Sequence, residues 1–119
     1  MNALRILYVE DDARDRDLAV RQLAREAPHL HLDVAETLAA ARGRLATGTT
    51  YDVVLTDVNL PDGSGLELLA ELRQHGADTA LIVVTSVDAG DTAVAALKGG
   101  ADTFIVKRIG YLERLPAIV

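Results

Sequence analysis

Short apolar runs alternate with helix-period stretches from one end of the chain to the other. The first run is "LRILYV", Leu4 to Val9. Behind it Val20, Leu23, Ala24 and Ala27 recur at i, i+3, i+4 and i+7, the stripe of an amphipathic helix. "HLHLDV" then alternates strictly, with Leu30, Leu32 and Val34 on one side and His29, His31 and Asp33 on the other. That alternation predicts a half-buried strand at a sheet edge. Thr37 stands where it can cap a helix carrying Leu38, Ala41 and Leu45. "DVVLT" predicts a third strand, and Ser64 a cap for a helix with Leu66, Leu69, Ala70 and Leu72 that ends near His75-Gly76. "ALIVVT" predicts the fourth strand and "TFIVK" the fifth. Between them "DAGDTAVAALKGG" is a weaker helix, with Gly90 inside it and Gly99-Gly100 as its stop. "GYLERLPAIV" starts a last helix striped by Leu112 and Leu115.

Strand followed by helix, repeated along the chain, predicts an α/β fold: a parallel sheet with helices on both faces. The first, third and fourth strands are apolar throughout and belong in the middle. The expected fold is therefore (βα)5, a doubly wound five-stranded sheet of order 2-1-3-4-5, flavodoxin-like. The 119 residues form one domain, 1–119. The last helix is short, as expected of a chain trimmed from a longer multidomain polypeptide.

Composition narrows the function classes. A formal net charge of −6 argues against a direct nucleic-acid surface. The absence of cysteine excludes disulfides and thiolate zinc sites. No apolar run approaches the roughly 18 residues of a membrane span, and "MNALRILYVEDD" turns acidic too soon for a signal peptide. A soluble, cytoplasmic protein without membrane contact is the expectation.

In an open parallel sheet, ligands bind beyond the carboxyl ends of the strands, where strand order reverses. The first strand runs into Glu10, Asp11 and Asp12, the third ends in Asp57, the fourth in Thr85 and Ser86, and the fifth in Lys107. All of these collect at one sheet edge from segments far apart in sequence. Carboxylates about 5 Å apart repel by roughly 3–4 kcal/mol per pair at an effective dielectric near 20. Either their pKa values rise and a proton is shared, or a cation sits among them. Oxygen-only ligands favour a hard ion such as Mg²⁺. Mg²⁺ amid carboxylates, a lysine and a hydroxyl suits phosphoryl transfer, with Asp57 as nucleophile and an aspartyl phosphate as product. The loop after Asp57, "VNLPDGSG", is stiffened by Pro61, while Gly63 and Gly65 permit backbone paths closed to other residues.

The motifs "YVEDD", "LTDVNLPDGSG", "VVTS" and "GADTFIVK", in this order and spacing, resemble the CheY-like receiver domain of two-component response regulators along the whole chain. The resemblance implies that Asp57 accepts a phosphoryl group from the phosphohistidine of a sensor histidine kinase or histidine phosphotransfer protein. It implies Asp11 as a direct ligand of Mg²⁺, or Mn²⁺, with Glu10 acting through water and the backbone carbonyl of Asn59 completing the set. Lys107 pairs with Asp57 and then with the phosphoryl group. Thr85 swings onto the phosphoryl oxygen, and Phe104, at the aromatic switch position, fills the space it leaves. The surface of the fourth helix, fifth strand and fifth helix then changes for a downstream effector domain or protein, or for a homodimer. Such a domain is a signalling module with slow self-dephosphorylation at most, not an enzyme of turnover.

Plainer readings stand beside these. Asp12 suits an N-cap of the first helix better than a metal ligand. Lys107 alone is a surface lysine, Phe104 alone is core, and Thr85 alone is a strand former. His29 and His31 share a strand face but read as solvated edge residues, and His75 as helix-terminal. Two positions depart from the family: Arg108 stands where a proline usually follows the lysine, and Ser86 where alanine is usual. The alternative function is a pseudo-receiver, a phosphorylation-independent interaction module. A phosphohydrolase is disfavoured by Asn59 where a second acid is needed, and a flavin binder by the lack of an aromatic pair.

Overall fold

The computed structural model describes residues 4–26, 30–48, 50–75, 79–85 and 98–106, with backbone alone at 26, 85 and 106. The elements are β1 (Leu4–Val9), α1 (Ala13–Glu26), β2 (Leu30–Ala35), α2 (Leu38–Ala46), β3 (Val53–Asp57), the two-residue strands β4 (Asn59–Leu60) and β5 (Gly63–Ser64), α3 (Gly65–Gln74), β6 (Ala80–Thr85) and β7 (Thr103–Val106). The main sheet is parallel throughout, in the order β2-β1-β3-β6-β7. Without the short β4–β5 ribbon this is the expected 2-1-3-4-5 winding, and β2 lies at the edge as its alternation predicts. The expected fourth helix before Lys98 and the last helix lie outside the described residues.

Successive strand residues face opposite sides of a sheet, and here both sides are covered, which explains the unbroken apolar runs. Leu7, Val9, Val54, Leu81 and Val83 pack with Leu38 and Ala41 of α2 and Leu68 and Leu69 of α3. On the other face Ile6, Tyr8, Leu55, Ile82, Val84 and Ile105 pack with Ala19 and Leu23 of α1. Each such Leu, Ile or Val contributes about 1.5–3 kcal/mol by leaving water.

The helices depart from the expected stripes in two places. In α1 the buried pair is Ala19 and Leu23, while Val20 is 42% exposed and Ala24 is also exposed. The helix is turned so that Ala19, a small residue, meets the sheet and Arg16, one turn earlier, reaches the end of β1. In α3 Leu68 and Leu69 are buried and Ala70 is exposed. Leu68 packs in the cluster that holds Leu38 and Ala41 of α2, and Ala70, two residues on, lies on another side of the helix. The two caps are as expected: Thr37 Oγ1 accepts from Ala40 N–H at 3.0 Å, and Ser64 Oγ accepts from Leu66 N–H at 3.1 Å.

Candidate functional site

β1 and β3 are neighbours, with Val9 opposite Thr56. The chain therefore leaves β1 into Glu10 and Asp11 beside the place where β3 ends in Asp57. Ligand oxygens of Glu10, Asp11 and Asp57 all lie within 4.8 Å of one another. The three differ in exposure: Glu10 is fully buried, Asp57 half-buried and Asp11 exposed. A buried carboxylate is costly unless hydrogen-bonded, and Glu10 Oε1 accepts from Asp12 N–H at 3.1 Å. The backbone of Glu10 is fixed as well. Its N–H donates to the Ala35 carbonyl at 2.9 Å, and its carbonyl accepts from Arg16 Nη1 at 2.9 Å. Arg16 Nη2 also pairs with Glu36 at 3.2 Å.

Asp12 stands outside the trio. Its Oδ1 accepts from Arg14 N–H at 2.9 Å and Asp15 N–H at 3.1 Å, so its carboxylate caps α1.

The chain beyond Asp57 is tied on several sides. Thr56 Oγ1 donates to the Asp57 carbonyl at 3.0 Å. Val58 N–H donates to the Val84 carbonyl at 3.2 Å, and Gly65 N–H to the Val58 carbonyl at 2.8 Å. The expected stiff turn is an antiparallel ribbon, with Asn59 opposite Ser64 and Leu60 opposite Gly63. Because Gly65 N–H takes the Val58 carbonyl, Asn59 and Ser64 form a non-hydrogen-bonded pair. Ser64 N–H instead donates to Glu67 Oε2 at 3.2 Å. The ribbon's own ladder thus makes no use of the Asn59 carbonyl.

The tip of the ribbon is held by a contact that sequence reasoning missed. Asp62 Oδ1 accepts from Leu38 N–H at 2.8 Å and Oδ2 from Ala39 N–H at 3.0 Å. Those two backbone N–H bonds hold the Asp62 carboxyl below the usual carboxylate range. Nothing in "LPDGSG" signals this, because the partners lie 24 and 23 residues away. Arg16 was missed for a similar reason: its acceptor is a backbone carbonyl, which leaves no trace in sequence.

The other expected site residues are placed in part. The backbone of Thr85 ends β6, one residue beyond Val84, which lies opposite Asp57, and Thr85 itself is opposite Val106. Lys107 follows Val106 in sequence. Lys107, Ser86, Arg108 and the side chain of Thr85 lie outside the described residues, as does His29. Phe104, opposite Val83 on β7, is 37% exposed and so is not core. His31 Nε2 is 3.3 Å from Asp33 Oδ1 on the β2 edge. His75 caps α3 at its carboxyl end, with Nδ1 2.8 Å from the Glu71 carbonyl.

The donor set at this edge is three carboxylates with a peptide carbonyl close by in sequence, all oxygen. Such a set fits a hard divalent cation of few protein ligands, and a cation among the carboxylates would offset their mutual repulsion. Among the described residues no helix is long and apolar enough to cross a membrane.

Comparison with known proteins places this geometry in context. The family model described as the response regulator receiver domain matches residues 6–119. The response regulator protein PilR of Pseudomonas aeruginosa is 36% identical over 121 residues, covering 98% of this chain and 26% of PilR. The transcriptional regulatory protein TcrA of Mycobacterium tuberculosis is 34% identical over 109 residues, covering 90% of this chain and 41% of TcrA. The chain thus spans less than half of either relative. A CheY-like receiver domain from Methanospirillum hungatei superposes with a TM-score of 0.84 at 27% identity, covering 98% of this chain and 91% of that one. TrrA of Thermotoga maritima, solved in complex with Mg²⁺-BeF, gives a TM-score of 0.80 at 28% identity, covering 97% and 96%. The beryllofluoride-activated NtrC4 receiver domain dimer gives 0.79 at 29% identity, covering 95% and 93%.

Proposed function

The chain belongs to the receiver domain family of response regulators, and from that premise we propose that it is a phosphoryl-accepting switch with Asp57 as the acceptor. The observation that carries this reading is the meeting of Glu10, Asp11 and Asp57 oxygens within 4.8 Å at the carboxyl edge of the sheet. Asp11, Asp57 and the Asn59 carbonyl would hold Mg²⁺, or Mn²⁺, with Glu10 acting through water. When bound, the ion offsets negative charge on the phosphoryl oxygens.

The protein's own part is nucleophilic attack and positioning. A carboxylate oxygen of Asp57 attacks phosphorus, the P–N bond of the donor phosphohistidine breaks, and the imidazole leaves with the bonding pair. The ties on Val58, Thr56 and Gly65 hold the Asp57 backbone in place for that attack. Lys107 neutralises Asp57 and later the phosphoryl group, and Thr85 donates to a phosphoryl oxygen. Phe104, already partly exposed on the outer strand, moves inward as Thr85 vacates its place, and the surface around β7 and the segments flanking it changes. A phosphoryl group biases this equilibrium only through its different interactions with the two states.

The phosphoryl donor is a sensor histidine kinase or histidine phosphotransfer protein, and the readout is a downstream effector domain or protein. A homodimer through the β7 side is the second readout, supported by the dimer of the related NtrC4 receiver domain. The domain works in the cytoplasm as a signal carrier.

Incubation with Mg²⁺ and a small-molecule phosphodonor, followed by intact mass measurement, tests the reading. A single phosphoryl adduct on the wild type, absent from Asp57→Asn, is the expected result. No adduct and no Mg²⁺ binding would overturn it and leave a phosphorylation-independent interaction module.

A further inference from the structure

Asp62 is separated from Asn59 by only Leu60 and Pro61, at the turn of a ribbon whose strands are two residues each. So short a ribbon has little stiffness of its own. Its base is fastened by the Gly65 N–H to Val58 carbonyl bond and by the Ser64–Glu67 capping box. Its tip is fastened by Asp62 alone of its side chains that bond α2, with both carboxylate oxygens on the first-turn N–H groups of Leu38 and Ala39. Leu60, 8% exposed, packs in the same cluster as fully buried Leu38. Gly63, with φ +150°, leaves no room for a Cβ between Leu38 and Glu67. The ribbon is thus held against α2 by charge-assisted hydrogen bonds at its tip and apolar contact along its side.

We propose that Asp62 is a positioning residue for the divalent-metal site: by fastening the ribbon to the start of α2 it sets where the Asn59 carbonyl stands. The inference rests on the metal-binding reading above. The Asp62 carboxylate bonds α2 and, among the described residues, makes no hydrogen bond to the acidic trio. It acts as outer partners of metal ligands do, by limiting where a ligand can go. Linkage makes the effect reciprocal: a metal that selects the fastened ribbon also protects the first turn of α2. Thr37, by contrast, caps the same helix through Ala40 N–H and has no bond to the ribbon. That difference supplies the control.

The test is a Mg²⁺ titration of four full-chain proteins, the wild type, Asp62→Ala, Asp62→Asn and Thr37→Ala, with hydrogen exchange read at Leu38 and Ala39. Asp62→Ala is expected to weaken Mg²⁺ binding roughly 10-fold, the low end for loss of an outer-sphere partner. Asp62→Asn loses the charge but keeps one acceptor and should lose clearly less. Thr37→Ala should destabilise the fold yet bind Mg²⁺ as the wild type does. In the wild type Mg²⁺ should slow exchange at Leu38 and Ala39, and in Asp62→Ala it should not. Unchanged affinity in Asp62→Ala overturns the proposal, as does an equal loss in Thr37→Ala, which marks general destabilisation. An equal loss in Asp62→Asn and Asp62→Ala also overturns it, because charge rather than the tether then sets affinity. A wild type that binds no Mg²⁺ overturns the metal reading itself, a result distinct from any of these.

Discussion

Gly65 lies so close to Asp57 that a Cβ on the glycine would overlap the Asp57 carbonyl oxygen and crowd Thr56 Oγ1, 2.7 Å away. The first residue of α3 therefore sits directly against the Asp57 backbone. The atoms that would have to give are backbone on one side and a hydroxyl already bonded to that backbone on the other. Gly65→Ala is expected to cost about 1–3 kcal/mol, the usual range for overpacking, measured by urea denaturation. Because relief requires Asp57 to move, the variant should also bind Mg²⁺ more weakly. Wild-type stability and affinity together in Gly65→Ala would show that the contact is slack.

Arg16 makes a second prediction. Its guanidinium donates to the Glu10 carbonyl and pairs with Glu36, and its side chain is 14% exposed while that of Glu36 is 69% exposed. The carbonyl bond, at a buried residue, should outweigh the solvated ion pair. Arg16→Met keeps the apolar stem and is expected to lose about 1–2 kcal/mol. Glu36→Gln should lose under about 0.5 kcal/mol. Thermal or urea unfolding of the two variants ranks them, and a larger loss in Glu36→Gln would reverse the assignment.

How far these features were legible in sequence depends on the distance over which each is determined. Strand composition put the first, third and fourth strands in the middle, because a strand buried on both faces must be apolar at every position and an edge strand need not be, and the common flavodoxin-like winding supplied the order. The Thr37 and Ser64 caps were equally legible, since a cap and its acceptor sit within one turn. The convergence of Glu10, Asp11 and Asp57 followed from the topology, which brings the ends of β1 and β3 together whatever the intervening residues are. The inward face of α1 did not follow. Val20 and Ala19 both neighbour Leu23 in helical spacing, and Arg16, on the Ala19–Leu23 side, meets the Glu10 backbone carbonyl just past β1, a contact that hydrophobic periodicity does not show. Asp62 reads as a turn residue by every local criterion, and only the docking of α2 beside the ribbon gives its carboxylate two N–H partners.

The acid side of the stability profile should carry the mark of Asp33. Tyr51 Oη donates to Asp33 Oδ2 at 2.6 Å. That bond, with Arg44 and His31 assisting against the cost of burial, holds the Asp33 carboxyl below its usual range. A depressed folded-state pKa stabilises the fold above the unfolded value, near 4, and the benefit is lost as pH falls through the folded value. Tyr51→Phe should therefore be less stable than the wild type by about 1–2 kcal/mol at pH 6. The gap should begin to narrow below about pH 4, where a carboxyl without that bond takes up a proton, and should close as pH falls through the lowered folded value of Asp33. Paired urea denaturations from pH 6 down to pH 3 measure it. A gap that stays constant over that range would mean that the bond does not favour the ionised form of Asp33.

The acidic trio predicts opposite effects of one substitution with and without metal. Oxygens of Glu10, Asp11 and Asp57 within 4.8 Å repel by about 1 to 4 kcal/mol per pair as the effective dielectric falls from 80 to 20. Asp57→Asn removes one charge at nearly constant shape, so in the presence of EDTA the variant should be more stable than the wild type. Saturating Mg²⁺ reverses the order. At about 100 times its dissociation constant, an ion that binds only the folded state adds roughly 2.7 kcal/mol, and the wild type should gain that increment while Asp57→Asn gains much less. Melting curves of both proteins in EDTA and in Mg²⁺ show the crossing directly. If Asp57→Asn melted below the wild type in EDTA, the pairing of Asp57 with Lys107, or a shared proton, would outweigh the repulsion among the three carboxylates. The metal would then have to displace that arrangement rather than fill a repulsive one.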